Sequence, residues 1–167
     1  MEKKLMFYRV QQFIKALTAS VSEDEKRWIK GYLTEREQAL FFKLKVYEQK
    51  HALCVAKLLS EWTNESQEMI RLGLLHDIGK VLYPLNPIQK SIIVILHKVT
   101  LGKIKRFNQF KIVKCYYEHP ILGSELLSRQ GVYEKEFLEC IKRHHELIDS
   151  DKISPNLSLL QKADNLC

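Results

Sequence analysis

Leu74-Leu75-His76-Asp77-Ile78-Gly79-Lys80 ends an apolar run with an imidazole beside a carboxylate, followed by a glycine and a lysine. Imidazole nitrogen and carboxylate oxygen together suit a borderline divalent metal, and a carboxylate has a second oxygen with which to bridge two ions. The apolar positions leading in, Ile70, Leu72, Leu74 and Leu75, predict a helix. Gly79 is expected at its end, where a positive φ is often needed. His76 and Asp77 then sit at a helix terminus, presented to a ligand by a fixed scaffold. Such a pair is common by chance. Its weight comes from further ligand types: His51 upstream, then His119, His144-His145 and Asp164 downstream.

Working outward, each of these positions falls on or beside a predicted helix. His51 lies in a segment from Val46 to about Trp62 with Ala52, Val55, Ala56 and Leu59 on one side. Asn64, with Gln67 three residues on, reads as the cap of the helix that runs into His76. Nearer the N-terminus, Val10, Phe13, Ile14 and Leu17 have helical spacing, and Ser22/Glu25 and Thr34/Glu37 are capping-box pairs. The first 45 residues are expected to form three short helices with a solvated charged face and no chemistry. Phe7, Tyr8, Phe13 and Trp28 are expected in the core.

Past the pair, Pro87 is placed to start a helix running to about Lys98, and Pro120 to start another that ends at Gly131. Residues 134–146 are amphipathic and end in His144-His145-Glu146. Ser154-Pro155 opens a last helix carrying Asp164. No alternating strand pattern persists anywhere. The expectation is an all-α bundle of about eight helices, with residues 1–45 an extension packed on a domain spanning 46–167.

The 167 residues, 46% hydrophobic and 28% charged, are enough for one well-buried domain. Four cysteines without a CxxC pair predict free thiols in a reducing compartment. The N-terminus lacks an apolar signal-peptide core, and the greasiest run, Ser91 to Leu96, is far below the ~20 residues that span a bilayer. A cytoplasmic protein without a membrane partner is expected. The formal charge of +7 calls for an anionic partner, and residues 97–117 supply six of those charges with no acidic residue among them. Lys103, Lys105 and Arg106 in this segment are candidates for steering a phosphorylated substrate. Its aromatics are spaced for packing as well as for stacking, so nucleic acid is not the expected partner.

From about Lys45 to Cys167 the ordered set resembles the HD-domain superfamily of metal-dependent phosphohydrolases, in its HDIG-type subgroup. The matching residues are His51, the run His76 to Lys80, His119-Pro120 with Gly123, His144 to Glu146, and Ala163-Asp164. The resemblance implies that His51, His76, Asp77 and Asp164 hold one ion, and that Asp77, His119 and one or both of His144 and His145 hold a second. It further implies that Lys80 meets the substrate phosphate and that a metal-bound water attacks phosphorus. An imidazole-rich shell favours manganese, iron, nickel, cobalt or zinc over magnesium. The implied substrate is a small phosphorylated molecule such as a nucleotide.

HD-GYP phosphodiesterases share the ligand order, but His144-His145-Glu146 is not followed by Gly-Tyr-Pro here, so cyclic di-GMP is not expected. Two other readings stay open: a non-catalytic module that binds metal and nucleotide, and a di-iron oxygenase using the same ligand set. The oligomeric state is not readable from the sequence.

Overall fold

The computed structural model describes residues 19–146 and 153–167. Over these residues the chain forms eight α-helices and two 3-10 turns, with no strand. In order they are α1 (Glu23–Tyr32), α2 (Glu35–Phe41), α3 (Val46–Trp62), α4 (Gln67–Leu75), the 3-10 turn η1 (Ile78–Val81), α5 (Pro87–Val99), the 3-10 turn η2 (Lys103–Phe107), α6 (Lys111–Ser128), α7 (Lys135–Arg143) and α8 (Pro155–Leu166). The expected all-α bundle is what folds. The helix predicted over residues 9–19, and Phe7, Tyr8 and Phe13 as core, lie outside the described residues.

Local signals act where expected in several places. Ser22 and Thr34 each close a capping box, with Glu25 and Glu37. Asn86 caps α5 ahead of Pro87, and Ser154 caps α8 ahead of Pro155. Such caps satisfy backbone donors that helix starts otherwise leave open. Three readings are corrected. Ser66 caps α4 in place of Asn64, which takes a positive φ in the preceding turn. Pro120 lies inside α6, which runs unbroken through it. Gly79 has no positive φ, because the chain after α4 continues directly into η1.

The main core gathers Ile29 of α1 and Leu33 just past its end, Phe41 of α2, and buried residues of α3, α4, α7 and α8. α3 lies along α4 and α8, while α6 packs on η1 and α7. Gly73 permits the close crossing of α3 and α4: a Cβ there would stand 2.8 Å from the Ala56 Cα. A smaller cluster of Leu85, Ile93, Val113 and Cys115 joins α5 to α6.

Two findings overturn sequence expectations. Cys54 and Cys167 are joined by a disulfide across 113 residues of sequence, so the four expected free thiols become two, Cys115 and Cys140, both buried. Linear spacing cannot reveal this pairing, because it depends on α3 and α8 lying side by side with the two Cα atoms 5.9 Å apart.

The second concerns Glu37, expected on a solvated face but fully buried. It accepts hydrogen bonds from the Thr34 backbone and hydroxyl at 2.8 Å each, from Arg71 Nε at 2.6 Å and from the Tyr133 hydroxyl at 2.6 Å. One carboxylate thus caps α2 and ties it to α4 and to the turn before α7. Burial opposes its ionisation, but the bonds from Tyr133, Arg71 and Thr34 outweigh burial and hold its pKa below the usual carboxylate value.

Glu37→Gln should cost about 1–3 kcal/mol at neutral pH, since it weakens the hydrogen bonds made to a buried carboxylate and takes the countercharge from the partly exposed Arg71 guanidinium. The folded-state pKa is depressed, so the carboxylate's contribution is complete above its unfolded value of ~4.3 and fades as pH falls below that. The gap between wild type and variant in urea unfolding should therefore shrink in acid. A constant gap would show that the charge is not what matters.

Candidate metal centre

The seven candidate ligands sit at helix ends or in mid-helix positions that face one another. His76 caps the C-terminus of α4 and Asp77 starts η1; His144 caps the C-terminus of α7, with His145 next. His51 projects from α3, His119 from α6 and Asp164 from α8. The fold brings together all seven, although 113 residues separate His51 from Asp164.

Their ligand atoms form two groups: His51, His76 and Asp164 in one, and Asp77, His119, His144 and His145 in the other. Asp77 stands between them with one oxygen turned each way. Its Oδ1 lies 3.1 Å from His119 Nε2 and 3.6 Å from His144 Nε2. Its Oδ2 lies 3.4 Å from His76 Nε2 and 3.7 Å from His51 Nε2. Asp164 closes the first group, with Oδ1 at 2.9 Å from His51 Nε2 and 3.5 Å from His76 Nε2. His145, the most exposed histidine of the set, has Nδ1 at 3.6 Å from Asp164 Oδ2. That contact spans the two groups.

Three imidazoles are oriented by their own helices. Nδ1 of His76, His119 and His144 lies 2.8, 2.8 and 2.6 Å from the carbonyl oxygens of Gly73, Cys115 and Ile141 respectively. A carbonyl only accepts, so each Nδ1 carries a proton and Nε2 is the ring atom turned into the site. This is the outer support that metal-ligating histidines usually have. All three Nε2 atoms, and Asp77 Oδ1, are buried without a hydrogen bond. A buried polar atom without a partner is unfavourable, and here three of the four meet in one ligand group while the fourth, His76 Nε2, belongs to the other. The donor set therefore fits divalent ions.

Charges packed this closely bias one another: burial opposes a charge on His76, but Asp77 and Asp164 outweigh it and raise its pKa to about 10. Burial holds His119 below its usual pKa, leaving it neutral. Burial opposes the charge on Asp77, but the Lys80 ammonium and His76 outweigh it and keep Asp77 ionised. Burial opposes the charge on Asp164 as well, but the His51 and His76 imidazoles beside it outweigh burial and hold its carboxyl below the usual range.

Beneath the pair lies a network that sequence reading missed. Lys80 Nζ donates to Asp77 Oδ2 at 2.5 Å and to Glu48 Oε2 at 3.0 Å, while Lys90 donates to Glu48 Oε1 at 2.9 Å. Glu48 is buried, and although burial pushes its pKa up, Lys80 and Lys90 bring it down to about 2. The signal was present: Glu48, Ala52, Val55 and Leu59 share helical spacing, which puts a carboxylate on the core face of α3.

A cleft of about 580 Å³ opens beside this centre, with Lys80, His119 and His145 in its wall. Lys45, Lys90, Lys105 and Lys142 add positive charge, and Tyr47, Tyr116 and Tyr117 add rings. Of the three residues expected to steer substrate, Lys105 lines this cleft. Lys103 and Arg106 sit exposed on η2, outside its wall. His97 of α5 is also in the cleft wall, with its Nδ1 2.6 Å from the Tyr117 hydroxyl.

The family model for the HD domain matches residues 49–167. No curated protein and no solved structure matches the chain.

Proposed function

The chain belongs to the HD domain family, and on that premise we propose that it is a metal-dependent phosphohydrolase acting on a nucleotide or another small phosphate ester or anhydride. The observation that carries this reading is Asp77, one oxygen facing each ligand group, among buried Nε2 atoms that nothing else satisfies. Divalent ions held there would polarise a phosphoryl oxygen and bring the pKa of bound water towards ~7.

The chain's own residues supply the rest. Asp77 and Asp164 offset cationic charge, and the Nδ1-tethered imidazoles of His76, His119 and His144 keep their geometry without rearranging when substrate arrives. Lys80, on the cleft wall, adds positive charge where a phosphoryl oxygen gathers negative charge. The cleft lysines suit the remaining phosphates, and Tyr116 and Tyr117 offer faces for a planar base.

A hydrolysis screen tests the proposal: nucleotides, dinucleotides and generic phosphate esters, each with manganese, nickel, cobalt, iron and magnesium. Phosphate release should vanish with a chelator and return best with a nitrogen-accepting ion rather than magnesium. If ions bind but no substrate turns over with any of them, the site belongs to a binding module and the catalytic reading fails.

A further inference from the structure

α5 has two opposed faces, and only one is packed. Ile93 and His97 point inward, towards the small cluster and Tyr117. On the far side Ile88, Ile92, Ile95 and Val99 follow one another at helical spacing, and all are exposed, Val99 by 74%. The stripe continues into the turn with Leu101, 86% exposed. A solvent-facing apolar stripe of this length is unusual for a water-bathed helix.

The backbone at Leu101 sharpens the point. Gly102 N–H bonds His97 O at 2.8 Å and Leu101 N–H bonds Lys98 O at 3.3 Å, the pattern that closes a helix with a left-handed residue. Leu101 fills that position with φ 49°. Glycine takes this conformation without steric penalty and leucine does not. The chain therefore holds a strained, fully presented leucine at a turn apex where glycine would be more stable.

The segment that carries the stripe is basic. Between Asp77 and Glu118 there is no acidic residue, while Lys98 edges the stripe and Lys103, Lys105 and Arg106 follow the apex. An outward apolar stripe bordered by long cationic side chains is the composition of an interfacial helix, whose lysines reach up to lipid phosphates while its apolar face enters the acyl boundary.

We propose that the outer face of α5 and the following turn dock on an anionic lipid surface. The occupant follows from charge. A second copy mated through the same face would oppose identical cations with no carboxylate to answer them. Residues 1–18 bring Lys3, Lys4, Arg9 and Lys15 against Glu2 alone, so they too lack countercharge. Among the described residues no helix is long and apolar enough to cross a membrane, so the contact is peripheral. This proposal departs from the expectation of no membrane partner, and it stands apart from any reaction at the metal centre.

Co-sedimentation of the full chain with vesicles tests this. Vesicles of equal parts phosphatidylglycerol and phosphatidylcholine should capture the protein, less so as salt rises, with pure phosphatidylcholine at least about tenfold weaker. Lys98→Gln/Lys103→Gln/Arg106→Gln should weaken capture about a hundredfold. Leu101→Gly should weaken it while leaving the melting temperature equal or higher, which separates docking from folding. No capture by the phosphatidylglycerol vesicles, or capture unchanged in Leu101→Gly and in Val99→Ser/Leu101→Ser, overturns the proposal. So does a dimer in sedimentation equilibrium that Val99→Ser/Leu101→Ser dissociates, because the occupant is then a second copy.

Discussion

Asp77→Ala should abolish stoichiometric metal binding in both ligand groups and lower phosphate release on the order of 10³-fold or more. The size of the effect follows from position. Mutation of the outer partners of metal ligands already costs ~10–100-fold, and each Asp77 oxygen stands beside two imidazole Nε2 atoms of a different side of the centre. Removing it also takes one of two carboxylates from the buried Lys80 ammonium, which should cost several kcal/mol of stability. Asp77→Asn separates the two consequences. It keeps the shape and one acceptor oxygen, so the fold should survive with the metal affinity gone. Metal content by mass spectrometry, phosphate release and thermal melting, all measured on both variants, make the check. Wild-type turnover in a folded Asp77→Ala protein would remove the metal centre from the chemistry.

That much of this could be read from the sequence has a physical reason. His51, His76, Asp77, His119, His144 and Asp164 stand on helices whose apolar stripes must meet in a core, so the same periodicity that predicts the bundle also predicts which polar residues face inward. What stayed hidden depends on distances that periodicity does not carry. Residue type alone does not disclose that Arg71 and Tyr133 will be brought to Glu37, or Lys80 and Lys90 to Glu48. The Cys54–Cys167 bond is hidden in the same way, lying between helices that neighbour each other only in three dimensions. Pro120 misled for another reason: a proline within a helix forfeits one backbone bond, and here packing of α6 against η1 and α7 outweighs that loss.

Gly79 shows how tightly that packing is drawn, and Gly79→Ala should be among the most damaging single-methyl additions in the chain. A Cβ at this position would lie 2.0 Å from the His119 carbonyl oxygen and 2.6 Å from the Gly123 nitrogen. Both are backbone atoms, so no side chain can rotate aside, and η1 must move off α6. Overpacking a core of this kind costs roughly 1–3 kcal/mol or more. The site suffers as well, because the two elements driven apart carry Asp77 and His119, whose ligand atoms now stand 3.1 Å from each other. Metal affinity should fall by about 10–100-fold, as it does when the supports of a ligand are disturbed. Gly31→Ala is the matched control: nothing lies within 4 Å of its Cβ position. There the helix gains from the lower backbone freedom of alanine, up to ~1 kcal/mol. The same substitution thus has opposite signs at two helical glycines, measurable by urea unfolding with a metal-binding isotherm for each. Equal stability and equal metal affinity in Gly79→Ala would mean that the contact between η1 and α6 does not set the geometry of the centre.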